Sequence, residues 1–252
     1  MKSIDVLFTP ADFSTLPGRD LAGTCCVVFD VLRATSSMIT ALAAGAEAIL
    51  PVAEIPEALE IRARDPRVLL AGERDGVRIR AALTGSIDFD LGNSPREFTA
   101  DRVAGRRIAM STTNGTRALR SCRHADMVFA GSFLNLDATA AAVHRLNPER
   151  LLLICSGTYE ETAYEDILGA GALCEQLWPH LQNASVSDAA RVARWLYLAA
   201  REDLPAAVAR SRNGARLLSV PELKDDVAFS LRVNANPLTA TLRPDGSVGV
   251  AR

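Results

Sequence analysis

Seven short apolar runs punctuate the first 155 residues: Ile4 to Phe8, Cys25 to Phe29, Ala48 to Val52, Val68 to Ala71, Arg107 to Met110, Met127 to Ala130 and Leu151 to Ile154. Runs of this length, without polar alternation, are the pattern of strands buried on both faces. Between them the apolar positions recur at helical spacing, which predicts helices over Arg33 to Ala46, Pro56 to Arg64, Thr116 to Cys122, Leu136 to Leu146 and Ile167 to Leu177. Beyond about Ser185 the pattern is helical only. Asp188 to Arg201 carries apolar residues at Ala189, Val192, Ala193, Leu196 and Ala200, and two shorter helices are expected around Leu204 to Leu218 and Glu222 to Leu231. The closing LTATLRPDGSVGV predicts a hairpin turning at Pro244, Asp245 and Gly246.

Strands alternating with helices predict an α/β fold: a layered, mainly parallel or mixed sheet with helices on both faces, and a helical C-terminal region that ends in a short hairpin. Residues 1–252 read as one unit, with a sub-domain boundary between about 1–105 and 106–252 left open, and the sheet is expected to hold two related halves. Gly72 to Pro95 breaks the rhythm and reads as a long loop, of the kind that is often functional.

Composition narrows the chemistry. With 28 basic and 30 acidic side chains, the chain has neither a nucleic-acid footprint nor a polybasic membrane patch. No apolar stretch reaches the ~20 residues that span a bilayer, and MKSIDVLFTPADF lacks a signal-peptide core, so a cytoplasmic protein is expected. Five scattered cysteines and three histidines fit neither a disulfide framework nor a zinc site, which leaves a hard, oxygen-ligated cation such as Mg²⁺ as the expected metal.

Three polar motifs follow directly on apolar runs: FDVLRATSS, STTNGT and CSGTYEET. A strand that ends in small hydroxyl or glycine residues before a helix presents free backbone N–H groups, and such ends collect anions. Asp30 at its strand terminus can hold a cation, while Arg33 forks onto phosphate oxygens; the plain alternative is a cap with a salt bridge. Thr112, Thr113, Asn114, Gly115 and Thr116 form an anion cradle or an ordinary turn, and Asn93 and Ser94 before Pro95 carry the same ambiguity. Leu32 stands where haloacid-dehalogenase-type phosphatases need a second acid, which argues against a phospho-aspartate. CSG raises the question of a thiol nucleophile, but no arginine of the tyrosine-phosphatase kind follows it, so Cys155, Ser156 and Gly157 are expected to line the site. Glu161, Glu165 and Asp166 lie beside them, the last two opening a helix, where the dipole already favours negative charge.

Taken in order, DVLRATSS, GERDG (Gly72 to Gly76), FDLGNSP (Phe89 to Pro95), STTNGT, and CSG followed by Glu165 and Asp166 resemble the 2-phosphosulfolactate phosphatase (ComB) family. The match runs from Asp30 through Asp166 to Gly169–Gly171 and is looser beyond Ser211. The resemblance implies a cytoplasmic, Mg²⁺-dependent hydrolase that converts 2-phosphosulfolactate to sulfolactate and phosphate in coenzyme M biosynthesis.

On that basis Asp30, Arg33, Glu73, Glu165 and Asp166 are the expected catalytic set, with Asp30, Glu73 and Asp166 as metal ligands. The expected phosphate-binding set is Asn93, Ser94, Thr112, Thr113, Asn114, Gly115, Thr116, Cys155, Ser156 and Gly157. Glu165 or Asp166 is expected to orient the attacking water, and Arg74, Arg96 and Arg117 are available for the other anionic groups. A sensor of a phosphorylated metabolite, a phosphatase for another small phospho-acid, and transfer chemistry at Cys155 remain open as alternatives. The expected partner is a small anionic ester, with no nucleic acid or membrane, and the base rate for oligomers favours a homodimer.

Overall fold

The computed structural model describes residues 1–251. In chain order the first part comprises β1 (Ser3–Leu7), α1 (Pro10–Phe13), β2 (Thr24–Phe29), α2 (Ala34–Ala43), β3 (Ala48–Val52), α3 (Ile55–Arg64), β4 (Leu69–Arg74), β5 (Val77–Arg78), α4 (Ala81–Thr84) and α5 (Ala100–Val103). There follow β6 (Arg107–Ser111), α6 (Gly115–Ser121), β7 (Met127–Gly131), α7 (Leu136–Leu146), β8 (Arg150–Cys155), α8 (Tyr164–Leu177) and β9 (Ser185–Val186). The last part holds α9 (Asp188–Ala200), α10 (Leu204–Ala209), α11 (Arg212–Leu218), α12 (Lys224–Ser230), β10 (Ala240–Leu242) and β11 (Val248–Val250). The expected α/β fold with a helical C-terminal region and closing hairpin is what the chain adopts. Its later helices divide into three, not two.

All strands join one sheet of order β5-β4-β6-β3-β11-β10-β7-β2-β8-β1-β9. Two parallel wings, β4-β6-β3 and β7-β2-β8-β1, are bridged by the antiparallel β10–β11 hairpin, which pairs with Phe129 and Ala130 on one side and Ile49 on the other. Strand β2 lies inside the second wing, and all six of its residues are buried. Because side chains alternate along a strand, Cys25, Val27 and Phe29 pack on one face with Leu168, Leu173 and Ala193 of α8 and α9, whereas Cys26 and Val28 pack on the other with Met38 and Ile39 of α2.

Gly72 to Pro95 is not a structureless loop. It holds the β4–β5 hairpin and α4, and seats Ile79, Phe89 and Leu91 in the core. A two-residue strand and a four-residue helix are too short to leave a periodic signal.

Candidate active site

The C-terminal ends of β2, β4, β6 and β8 deliver Asp30, Glu73, Thr112 to Asn114 and Ser156 to Gly157. This follows the rule that places ligands beyond the carboxyl ends of parallel strands. In a flat sheet six strand spacings would separate β2 from β4 by about 29 Å. The two ends nevertheless line one cavity, so the sheet curls and the loops fold inward. The cavity is lined by Asp30, Leu32, Arg33, Glu73, Asp75, Gly76, Asn93, Thr113, Asn114, Gly157, Thr158, Tyr159, Asn213 and Arg216, and its water-accessible volume is about 50 Å³.

Asp30 is locked to the start of α2. Its Oδ1 accepts from the Ala34 N–H at 2.9 Å, and its own N–H donates to Thr35 Oγ1 at 3.0 Å. The Leu32–Arg33 peptide between them is cis. Gly115 stands so close that a Cβ there would lie 2.5 Å from Asp30 Oδ2, which is why the STTNGT turn needs glycine at that position. Glu73 accepts from the Thr113 N–H and Oγ1 at 3.0 Å with one oxygen and from the Gly76 N–H at 2.7 Å with the other. Asp166 likewise accepts from the Val31 and Gly157 N–H groups. Glu73 and Asp166 therefore brace loops against one another. Asn114 donates to the carbonyls of Ser156 and Tyr159, tying the β6 end to the β8 end.

Glu165 differs. One oxygen accepts from Asn213 Nδ2 at 2.9 Å, and the other is buried with no partner among the described residues. Burial, together with the neighbouring Glu73 and Glu165, pushes the Asp30 carboxyl up to about 7 against the single opposing pull of amide hydrogen bonds. Burial first, then Asp30 and Glu165, raises Asp166 well above the usual carboxylate range. Like charges held out of water at short range need a counter-charge.

The donor set fits a hard cation. Among the described residues Asn93 Oδ1, Asn114 Oδ1 and Glu165 Oε2 are buried oxygens without a donor; Asn93 and Asn114 line the cavity with Asp30, and Glu165 lies near enough to Asp30 to raise its carboxyl. Among the described residues no three His, Cys, Asp or Glu side chains form a metal-holding cluster. Mg²⁺ takes one or two carboxylates and completes its octahedron with other oxygens, a demand that one carboxylate with amide oxygens fits in chemistry.

Of the residues singled out from sequence, Asp30, Arg33, Glu73, Asn93, Thr113, Asn114 and Gly157 line the cavity. Ser94, Thr112, Gly115, Thr116, Ser156, Glu165 and Asp166 are buried without lining it. Cys155 lies in the core on the α8 side, where burial holds its thiol protonated, so it has neither the access nor the charge of a nucleophile. Arg74 is spent on Glu73 O and the Ser111 hydroxyl, Arg96 on Asp225 and Asp226, and Arg117 on Glu160; none lines the cavity.

What sequence reading missed comes from α11 and α12. Asn213 fixes Glu165, and Arg216 reaches the cavity mouth. Asp226, fully buried, receives Arg33 Nη1 and Arg96 Nε at 2.8 Å and the Ser94 hydroxyl at 2.6 Å. These partners stand up to 193 residues apart in the chain, and no local pattern signals them.

The family model described as 2-phosphosulpholactate phosphatase matches residues 12–244. Proteins named probable 2-phosphosulfolactate phosphatase are similar to the chain along most of its length. The one from Caldanaerobacter subterraneus subsp. tengcongensis is 34% identical over 241 residues, 94% of this chain and 95% of the relative. Those from Symbiobacterium thermophilum and Pseudothermotoga lettingae are 35% and 38% identical, covering 90% of this chain in each case and 93% and 89% of the relatives.

Proposed function

The chain belongs to the 2-phosphosulpholactate phosphatase family, hydrolases of phosphoric monoesters, and from that premise we propose that it cleaves 2-phosphosulfolactate to sulfolactate and phosphate with Mg²⁺ as cofactor. The observation that carries this reading is the convergence of Asp30 with two buried oxygens unpartnered among the described residues, from Asn93 and Asn114, around one small polar cavity, with a third, from Glu165, behind its wall.

Mg²⁺ would be held by Asp30, with Asn93 Oδ1 and Asn114 Oδ1 as further ligands, and would supply positive charge to the phosphoryl oxygens. The remaining work falls to the chain. The backbone of the Asn114–Gly115 turn and Arg33 cradle the phosphate, and because these groups are fixed beforehand they need no reorganisation as charge shifts in the transition state. Arg33 is itself fixed by Asp226 and by the carbonyl of Gly76 at 2.8 Å. Glu73, held by three donors and facing the cavity, orients the attacking water. The water oxygen bonds to phosphorus as the ester P–O bond breaks, its proton passes to the Glu73 carboxylate, and the departing alkoxide takes a proton from solvent. Glu165 and Asp166 act on this arrangement from behind the cavity wall.

A panel of phosphate monoesters, each with Mg²⁺ and with EDTA and read by phosphate release, tests the proposal. Metal-dependent release that is fastest with 2-phosphosulfolactate is expected; phospho-compounds bound tightly without turnover would overturn it in favour of a sensor.

A further inference from the structure

Two cations line the cavity, and their electrostatic situations differ. Arg33 is almost fully buried and already neutralised by Asp226 at 2.8 Å. Arg216, at the mouth, has no carboxylate within ion-pair distance among the described residues. Its guanidinium donates only to neutral oxygens, the Asp75 carbonyl at 3.0 Å and Asn213 Oδ1 at 3.0 Å. Those two bonds hold the fork in place and leave its charge uncompensated. Gly76 makes room for it: a Cβ there would lie 2.9 Å from Arg216 Nη1, at a backbone φ of +78° that side chains disfavour. The second glycine of GERDG thus serves a residue 140 positions later in the chain.

We infer that Arg216 selects substrates bearing a second anionic group, a carboxylate or sulfonate beside the phosphate ester. This rests on the phosphatase reading and extends it to the part of the substrate that does not react. The phosphate end meets carboxylates, amide oxygens and a neutralised arginine. A planar guanidinium with a free charge suits an anion at the other end, because it can present two parallel N–H donors to one oxyanion.

The test uses the full chain with Mg²⁺, comparing 2-phosphosulfolactate with p-nitrophenyl phosphate, which has no second anion. Arg216→Gln is expected to lower kcat/KM for 2-phosphosulfolactate by roughly 10- to 100-fold, the scale of a lost charged hydrogen bond. The loss is expected mainly in KM and well below this on p-nitrophenyl phosphate. Inhibition of p-nitrophenyl phosphate cleavage by sulfolactate weakens in parallel, and Arg216→Lys restores part of it. Equal losses on both esters, no loss, or a wild-type preference for p-nitrophenyl phosphate would overturn the inference. If the wild-type chain releases phosphate from neither ester, the phosphatase reading falls instead. Calorimetric binding of sulfolactate then still decides Arg216: weaker binding by Arg216→Gln supports its role, and equal or absent binding refutes it.

Discussion

The strand-end loops and the C-terminal helices meet at the same cavity but are built on opposite principles. The strand ends and the first turn of α8 crowd Asp30, Glu73, Glu165 and Asp166 together and, among the described residues, leave buried oxygens without donors. The helices bring Asp226, whose two oxygens are saturated by Arg33, Ser94 and Arg96. Unsatisfied polar groups cost stability and persist where they serve a ligand, whereas a fully partnered network rigidifies what surrounds it. The first side therefore holds the unsatisfied groups and the helices act as its clamp.

The sharpest way to break that contrast is Asp226→Ala, which strands the buried Arg33 guanidinium and takes one of two carboxylates from Arg96. Loss of one partner from a buried ion pair costs about 3–5 kcal/mol, measurable by denaturant unfolding, and Asp226→Asn gives a milder form if the alanine variant does not fold. Asp30→Asn should do the reverse. Turnover falls by about 10²- to 10³-fold, yet at pH 8 in EDTA the variant unfolds no more easily than wild type, because a repelled charge has gone.

A third prediction concerns pH. The Asp30 carboxyl moves from an ordinary value of 3.8 to about 7 on folding. Between those values the folded chain binds more protons than the unfolded one, so stability falls as pH rises through this window. In EDTA the Tm should drop between pH 5 and pH 8, by about 2–4 °C for each kcal/mol, and added Mg²⁺ should recover more of it at pH 8 than at pH 5. The smallest effect is expected from Cys155→Ala: about 1 kcal/mol of stability, with phosphate release kept within about twofold on the same scale of ordinary core substitutions.

The same contrast explains what the chain declares locally. Apolar runs such as Cys25 to Phe29 announce a central strand, and a polar residue immediately after one, as with Asp30, marks a strand end that faces ligand. FDVLRATSS, GERDG and STTNGT were legible because each site residue sits within a few positions of the strand that carries it. The clamp was not legible. Asp226 lies in a short helix whose spacing looks ordinary, and its meaning depends on Arg33 arriving from the other end of the chain. The task of Arg216 shows only once Gly76 is seen beneath it. Arg74, Arg96 and Arg117 lie near motifs in sequence but are drawn away from the cavity by a closer acid or carbonyl, as Glu160 draws Arg117.

The hairpin between the two wings bears on biogenesis. Strands β10 and β11 leave the ribosome after every other strand, yet they occupy the middle of the sheet. Until they arrive, the nascent protein exposes two open seams, along β3 and along β7, each a template for pairing with a neighbouring chain. Closure of that gap joins the two wings, so loss of residues 240–250 would yield two sticky half-sheets rather than a slightly altered enzyme.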